Sequence, residues 1–199
     1  MNRFLKFWRI TGRGEVFRAA VVNYADDFVI LSRGCAEEAL DWTRNVMQRI
    51  KLTLNEAKTS IKHARTESFD FLGYTFGPQR HRKDGHGYLG AKPSKKSIAR
   101  LRLKVADCLY RGHLAPWPEV RDRLNMILRG WSNYFRRGTT VFANAAVDNY
   151  VYDRVRHLLR RRHKIGSRGG TVFPGTVVFG ELGVLRLRAL SRRARAKAD

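Results

Sequence analysis

Residues 21–31 read Val21-Val22-Asn23-Tyr24-Ala25-Asp26-Asp27-Phe28-Val29-Ile30-Leu31, two apolar strand-forming runs joined by Ala25, Asp26 and Asp27. β-Branched and aromatic residues on both sides of a short Asp-containing break predict a β-hairpin whose tip presents two adjacent carboxylates. Strands this apolar are normally buried, so the hairpin is expected to hold its acids at a rigid, otherwise apolar site. Neighbouring carboxylates in such a place are costly without a cation. Hard divalent ions such as Mg²⁺ take carboxylate oxygens at about 2.0–2.1 Å, and a two-ion site can stabilise both the attacking and the leaving oxygen of an in-line phosphoryl displacement. Asp also favours plain turns. By itself, therefore, Tyr24-x-Asp26-Asp27 leaves nucleotidyl transfer and an ordinary Asp-rich turn both open.

Outward from the hairpin, the pattern over residues 18–90 is mixed. β-Branched or aromatic runs at 20–24, 28–31, 59–61 and 69–76 surround one stretch with helical spacing, Ala36, Leu40, Thr43, Val46, Met47 and Ile50. An α+β segment, a sheet with one helix packed on it, is expected. Residues 77–93, GPQRHRKDGHGYLGAKP, concentrate Gly, Pro and charge, which suits a loop or exposed hairpin between domains. The domain boundary is placed there, at about residue 90.

Beyond it the period becomes helical. Pro93 and Ser94 supply a start for a helix with Ile98, Leu101, Val105 and Cys108 on one face. A second helix follows Pro118 with the stripe Val120, Leu124, Ile127, Leu128 and Trp131, and a third aligns Val147, Val151, Val155 and Leu158. Three such helices over 91–165 make a small bundle, with Trp131 assigned to its interior. Residues 166–199 read as a Gly-rich basic extension ending in SRRARAKAD, whose apolar content is too low to order it.

The chain has 40 Lys plus Arg against 17 Asp plus Glu, a formal charge of +23 and a pI near 11.1. Such a charge repels itself unless a polyanion neutralises it, so nucleic acid is the expected partner. With 43% hydrophobic residues there is material for a real core, which excludes a simple basic tail. No apolar stretch approaches the length of a membrane span and no signal-peptide core is visible, so a soluble, cytoplasmic, nucleoprotein-associated chain is expected, with no membrane partner. Cys35 and Cys108 are far apart and read as isolated core residues. His113, His157 and His163 show no metal-ligand spacing.

The YADD hairpin flanked by VVN and FVIL resembles the palm hairpin of reverse transcriptases, particularly those of group II introns. Further similarities follow in the family's order: LTLNEAKTSI at 52–61, FDFLGYTF at 69–76, KPSKKSIARL from Lys92, and LRGWSNYFRRG at 128–138. The chain is identified as resembling the C-terminal part of a group II intron reverse transcriptase/maturase. The resemblance implies a partial palm at 1–90, an antiparallel sheet with a helix, followed by a thumb or maturase domain at 91–165. It implies that Asp26 is a catalytic metal ligand with Asp27 in the same cluster, serving a two-Mg²⁺ site. It implies that Phe71, Leu72, Gly73 and Tyr74 resemble the primer grip, and that Lys58 lies near the incoming nucleotide, although a solvated surface lysine fits that position equally.

The family also uses an earlier palm aspartate and fingers. Glu15 is the only acid ahead of the doublet, so this polypeptide is not expected to polymerise DNA alone, and an N-terminal half acting in trans is one route to a complete site. Lys92, Lys95, Lys96, Arg100, Arg129, Arg136 and Arg137 are candidate phosphate contacts for intron RNA or a DNA target. The dense run Arg160, Arg161, Arg162 and Lys164, with Arg154, Arg156 and His163, has few acids nearby and joins them. Trp131 and Tyr134 are candidates for base stacking or core packing. Two functions stay open: part of an RNA-directed DNA polymerase and maturase acting in intron splicing and mobility, or a non-catalytic RNA-binding maturase module with a remnant palm.

Overall fold

The structure, a computed structural model, describes residues 1–81, 84–110 and 112–190. Helices and small antiparallel sheets divide into two compact units, Met1–His63 and Ala64–Asp199. The division falls well ahead of residue 90, because the second sheet belongs with the helices that follow it. The basic run 191–199 and its expected disorder lie outside the described residues.

The first unit is organised by aromatic residues. Helix α1 (Asn2–Ile10) repeats Phe4 and Trp8 at i and i+4 on one face, and both are buried. A short turn of helix, α2 (Arg13–Val16), brings Phe17 alongside Trp8 at 5.9 Å between ring centroids. Strands β1 (Ala19–Tyr24) and β2 (Asp27–Ser32) then form a two-stranded hairpin with Val21 opposite Ile30 and Asn23 opposite Phe28. That inner face, through Val21, Phe28 and Ile30, covers Phe4 together with Ala39, Val46 and Met47 from helix α3 (Ala36–Arg49). Glu37 and Glu38 sit in the first turn of α3 and Arg49 in its last, each sign complementing the helix dipole. Residues 59–61, expected as a strand, are irregular chain. The preceding residues turn instead, with Lys58 N and Thr59 N donating to the Asn55 carbonyl and Arg44 bridging both carboxylate oxygens of Glu56.

In the second unit, β3 (Phe69–Phe71), β4 (Tyr74–Arg80) and β5 (Gly87–Pro93) form an antiparallel meander. The Gly- and charge-rich run 77–93 is thus the β4–β5 hairpin. Ser94 caps helix α4 (Lys95–Cys108) by accepting the Ser97 amide at 3.1 Å. Pro118 sits in the first turn of helix α5 (Trp117–Tyr134), and helix α6 (Val141–Arg162) follows. The apolar stripes meet as their spacing demands. Leu101, Val105 and Cys108 of α4, Val120, Leu124 and Leu128 of α5, and Val147, Val151, Val155 and Leu158 of α6 form one buried core. Trp131 is half-buried against that core with its ring 4.8 Å from Phe135.

The segment after Gly166 is not a loose extension over its described part. Val178, in a π-helical turn (Val177–Glu181), and Val184 and Leu187 are all buried in the same core. Side chains of the bundle clip this strap by its backbone. Trp117 Nε1 donates to the Leu182 carbonyl, Asn125 donates to the Gly183 carbonyl and accepts from Leu185 N, and Asp148 accepts from Leu187 N and Arg188 N.

Candidate functional site

The carboxylate hairpin closes in two residues. Tyr24 pairs with Asp27, leaving Ala25 and Asp26 as the turn, and Ala25 takes φ +52°. A left-handed first turn residue matches the twist of the flanking strands, a position glycine fills without strain and alanine does not. Asp26 and Asp27 are both exposed. The strands are less buried than their hydrophobicity predicts. Only the inner face packs on α1 and α3; on the outer face Val22 and Leu31 are 47% and 49% exposed, and Tyr24 stands in solvent. The reason is that the described sheet has two strands and a single covered face, so alternate residues of each strand have nothing above them.

Two adjacent carboxylates are the hard oxygen donors that Mg²⁺ takes, and exposure leaves them open to a ligand. They fall short of a complete set: among the described residues no group of three or more acids, histidines or cysteines converges as a metal site. The hairpin therefore fits a divalent ion as a contributor of ligands, with further oxygens required from substrate, water or other protein groups. Lys58 is exposed on the 55–59 turn of the same unit.

The second unit presents a different kind of site. Residues 71–74, expected as primer-grip-like, are the β3–β4 turn. Leu72 and Gly73 occupy the turn with φ +48° and +76°. Both of their carbonyls are held from below. Gly73 O accepts Ser94 N at 2.9 Å and Ser97 Oγ at 2.8 Å, and Leu72 O accepts the Tyr134 hydroxyl at 2.8 Å. Tyr74 completes the contact by donating to the Tyr134 carbonyl at 2.9 Å, one of the end carbonyls that α5 leaves open. Partial burial pushes the Tyr74 phenol above its ordinary range.

Lys92 extends from β5 opposite Thr75, Lys95 and Lys96 open α4, and Arg100 follows on its outer side, all exposed. Arg129, Arg136 and Arg137 are exposed at and beyond the end of α5. These seven keep their charge in solvent, as a phosphate-binding surface requires. The dense cluster on α6 splits in two. Arg162 reaches back to the α4–α5 loop and donates to the carbonyls of His113 and Ala115 at 2.7 and 2.8 Å; Arg154 donates to Leu109 O, and Arg156 pairs with Asp153 while lying over the Tyr152 ring. Arg161, His163 and Lys164 are exposed and Arg160 half-exposed. Scarcity of acids nearby predicted unpaired cations, but backbone carbonyls satisfy guanidinium groups as well as carboxylates do, and their positions are invisible in composition. His157, exposed beside these arginines, is pushed below the ordinary histidine range, first by desolvation and then by Arg156.

Ser97, the Tyr134 hydroxyl, Asn125 and Asp148 escaped the sequence reading as structural determinants. Each bonds to backbone at least 24 residues away, which no periodicity encodes. Cys108 is buried with its thiol pushed up by desolvation, and Cys35 is half-buried; both are free. Among the described residues no helix is long and apolar enough to cross a membrane.

Comparison with known families agrees with this geometry. No curated protein matches the chain. The family model for the group II intron maturase-specific domain matches residues 98–172, a span that runs from Ile98 in the first turn of α4 through α5 and α6 to Val172. Over these residues the chain is similar to the group II intron maturase-specific domain.

Proposed function

We propose that the chain is the C-terminal part of a group II intron-encoded RNA-directed DNA polymerase and maturase. In this reading the helical unit binds intron RNA, and the hairpin of residues 21–31 contributes Asp26 and Asp27 to a nucleotidyl-transfer site. The observation that carries it is the pairing of a maturase domain with a two-residue hairpin turn that exposes adjacent carboxylates on a left-handed alanine. The chemistry Mg²⁺ supplies when bound to such carboxylates is stabilisation of charge on the attacking and leaving oxygens. Asp26 and Asp27 would hold that charge at a fixed place, because β1 and β2 are anchored through Phe28 and Ile30 to the aromatic core. The remaining ligands would come from a further carboxylate outside this unit, supplied by an N-terminal polymerase half. Exposed Lys92, Lys95, Lys96, Arg136 and Arg137 would contact phosphates of intron RNA or of a DNA target, serving splicing and mobility.

A second reading, a maturase module without polymerase chemistry, is favoured by one feature: the carboxylate pair has no third acidic partner among the described residues. Primer extension on an RNA template with Mg²⁺ separates the two. We expect no incorporation by this chain alone, incorporation when a related N-terminal half is added, and loss of that incorporation in Asp26→Asn. Absence of incorporation in the mixture, with salt-sensitive binding of intron RNA intact, would reject the polymerase reading and leave the maturase module.

A further inference from the structure

The turn at Leu72 and Gly73 is short, half-buried, and held in a backbone conformation that a leucine adopts only under constraint. Its own strand pairing is short at this end of the sheet: β3 is three residues long and pairs only with β4, at the edge of the three-stranded meander. The constraint comes from the helices. Ser97 in the first turn of α4 takes one carbonyl of the turn, and Tyr134 at the end of α5 takes the other. Tyr74 and Tyr134 are linked reciprocally, each hydroxyl donating to backbone on the other's side, with the rings stacked at 6.1 Å. The fit is close, since a Cβ on Gly73 would lie 2.9 Å from Ser97 Oγ.

Tyr134 is informative because it is 57% exposed. A tyrosine needed only for the core would be buried; this one contributes a hydroxyl to a carbonyl 62 residues away. Residues 97 and 134 thus flank the turn from two different helices.

We infer that Ser97 and Tyr134 are positioning residues that set the Leu72-Gly73 turn for contact with the end of a nucleic-acid strand, making the maturase helices part of that recognition element. This rests on the reading of residues 71–74 as a primer-strand contact. With both carbonyls fixed, the turn is held rigid for a strand whose phosphates meet Lys92 on β5, opposite Thr75, and Lys95 and Lys96 at the start of α4.

The test measures binding of the full chain to two duplexes of equal length and charge, an RNA template with a DNA primer ending in a recessed 3′ terminus and a blunt hybrid. The wild type should prefer the recessed end. Tyr134→Phe and Ser97→Ala should each reduce that preference about five- to tenfold, the effect of one lost hydrogen bond, with binding of the blunt hybrid retained and the thermal midpoint lowered by only a few degrees. Ser97→Thr, which keeps the hydroxyl, should retain the preference. Faster amide hydrogen exchange around residues 71–75 in the first two variants would accompany the loss. If the wild type prefers the recessed end and both variants keep that preference, the positioning role is overturned while the primer-strand reading stands. If the wild type binds both duplexes equally, the primer-strand reading itself fails and takes the positioning role with it.

Discussion

Replacing Asp148 by alanine should loosen the strap that closes the maturase helices. The carboxylate is 3% exposed and accepts Leu187 N at 2.8 Å and Arg188 N at 3.1 Å. Hydrogen bonds to a charged acceptor contribute roughly 1.5–3 kcal/mol each, and a buried amide left without a partner costs about 1–3 kcal/mol. Against this, removing a buried carboxylate recovers its desolvation penalty. The balance is a loss of about 2–4 kcal/mol for Asp148→Ala and about half that for Asp148→Asn, whose amide oxygen retains one acceptor. At about 3 °C per kcal/mol for a chain of this size, the alanine variant should melt about 6–12 °C lower, and protease should cut first between residues 166 and 190.

The pH dependence has a defined sign. Desolvation pushes the Asp148 carboxyl above its ordinary value of 3.8, outweighing the two backbone amides and the nearby Arg188 and Arg186. A carboxyl that binds its proton more tightly when folded stabilises the fold fully below its unfolded value, and that contribution is lost as pH rises through the folded value. The stability gap between wild type and Asp148→Asn should therefore widen as pH is lowered from neutrality toward 3.8. Denaturant titrations of the full chain measure both effects. An alanine variant within about 0.5 kcal/mol of wild type, or a gap that narrows on acidification, would refute the assignment of Asp148 as the strap's anchor.

Three other substitutions separate strain and packing from recognition. Ala25→Gly should stabilise the Met1–His63 unit by about 0.5–1 kcal/mol, because left-handed φ strains alanine by roughly 1–2 kcal/mol and glycine's added freedom returns part of the gain; denaturation followed through Trp8 and Trp42 would show it, and an unchanged midpoint would contradict the strain argument. Arg162→Ala should cost about 1–2 kcal/mol of stability through its two carbonyl bonds with little change in the salt dependence of RNA binding, whereas Arg161→Ala should leave stability intact and lower the salt slope by about one. The reverse pattern would mean that Arg162, despite its carbonyl partners, is the phosphate contact.

Periodicity carried the reading wherever one face of an element decides its fate. Val147, Val151, Val155 and Leu158 recur at helical spacing and are all buried, and the two apolar runs around Asp26 and Asp27 pair as a hairpin. What periodicity cannot carry is the far side of a contact. The hairpin strands carry apolar residues on both faces, which predicts burial of both; Val22 and Leu31 are nevertheless open. Glycines at 166, 169, 170 and 175 signal an extension, yet three well-spaced apolar residues after them, Val178, Val184 and Leu187, suffice to dock it. Arg162 shows the same limit for charge, since its partners are carbonyls 47 and 49 residues away.

These long-range bonds also decide what the folding unit is. The maturase-domain match ends at residue 172 and begins at residue 98, but the core it contributes is completed on both sides of that span. Upstream, the β3–β4 turn is tied to Ser97 and Tyr134, and Gly138, with φ +84°, lies so close to the Ala91 carbonyl that no side chain fits between them. Downstream, Val178, Val184 and Leu187 are essentially fully buried. Burying each of these side chains is worth roughly 1.5–3 kcal/mol before the entropy of ordering the strap is subtracted. The core of the helices at residues 98–172 is thus shared with residues beyond the matched span. The hairpin that presents the Leu72-Gly73 turn and the strap that packs on α6 are structural parts of the same compact unit.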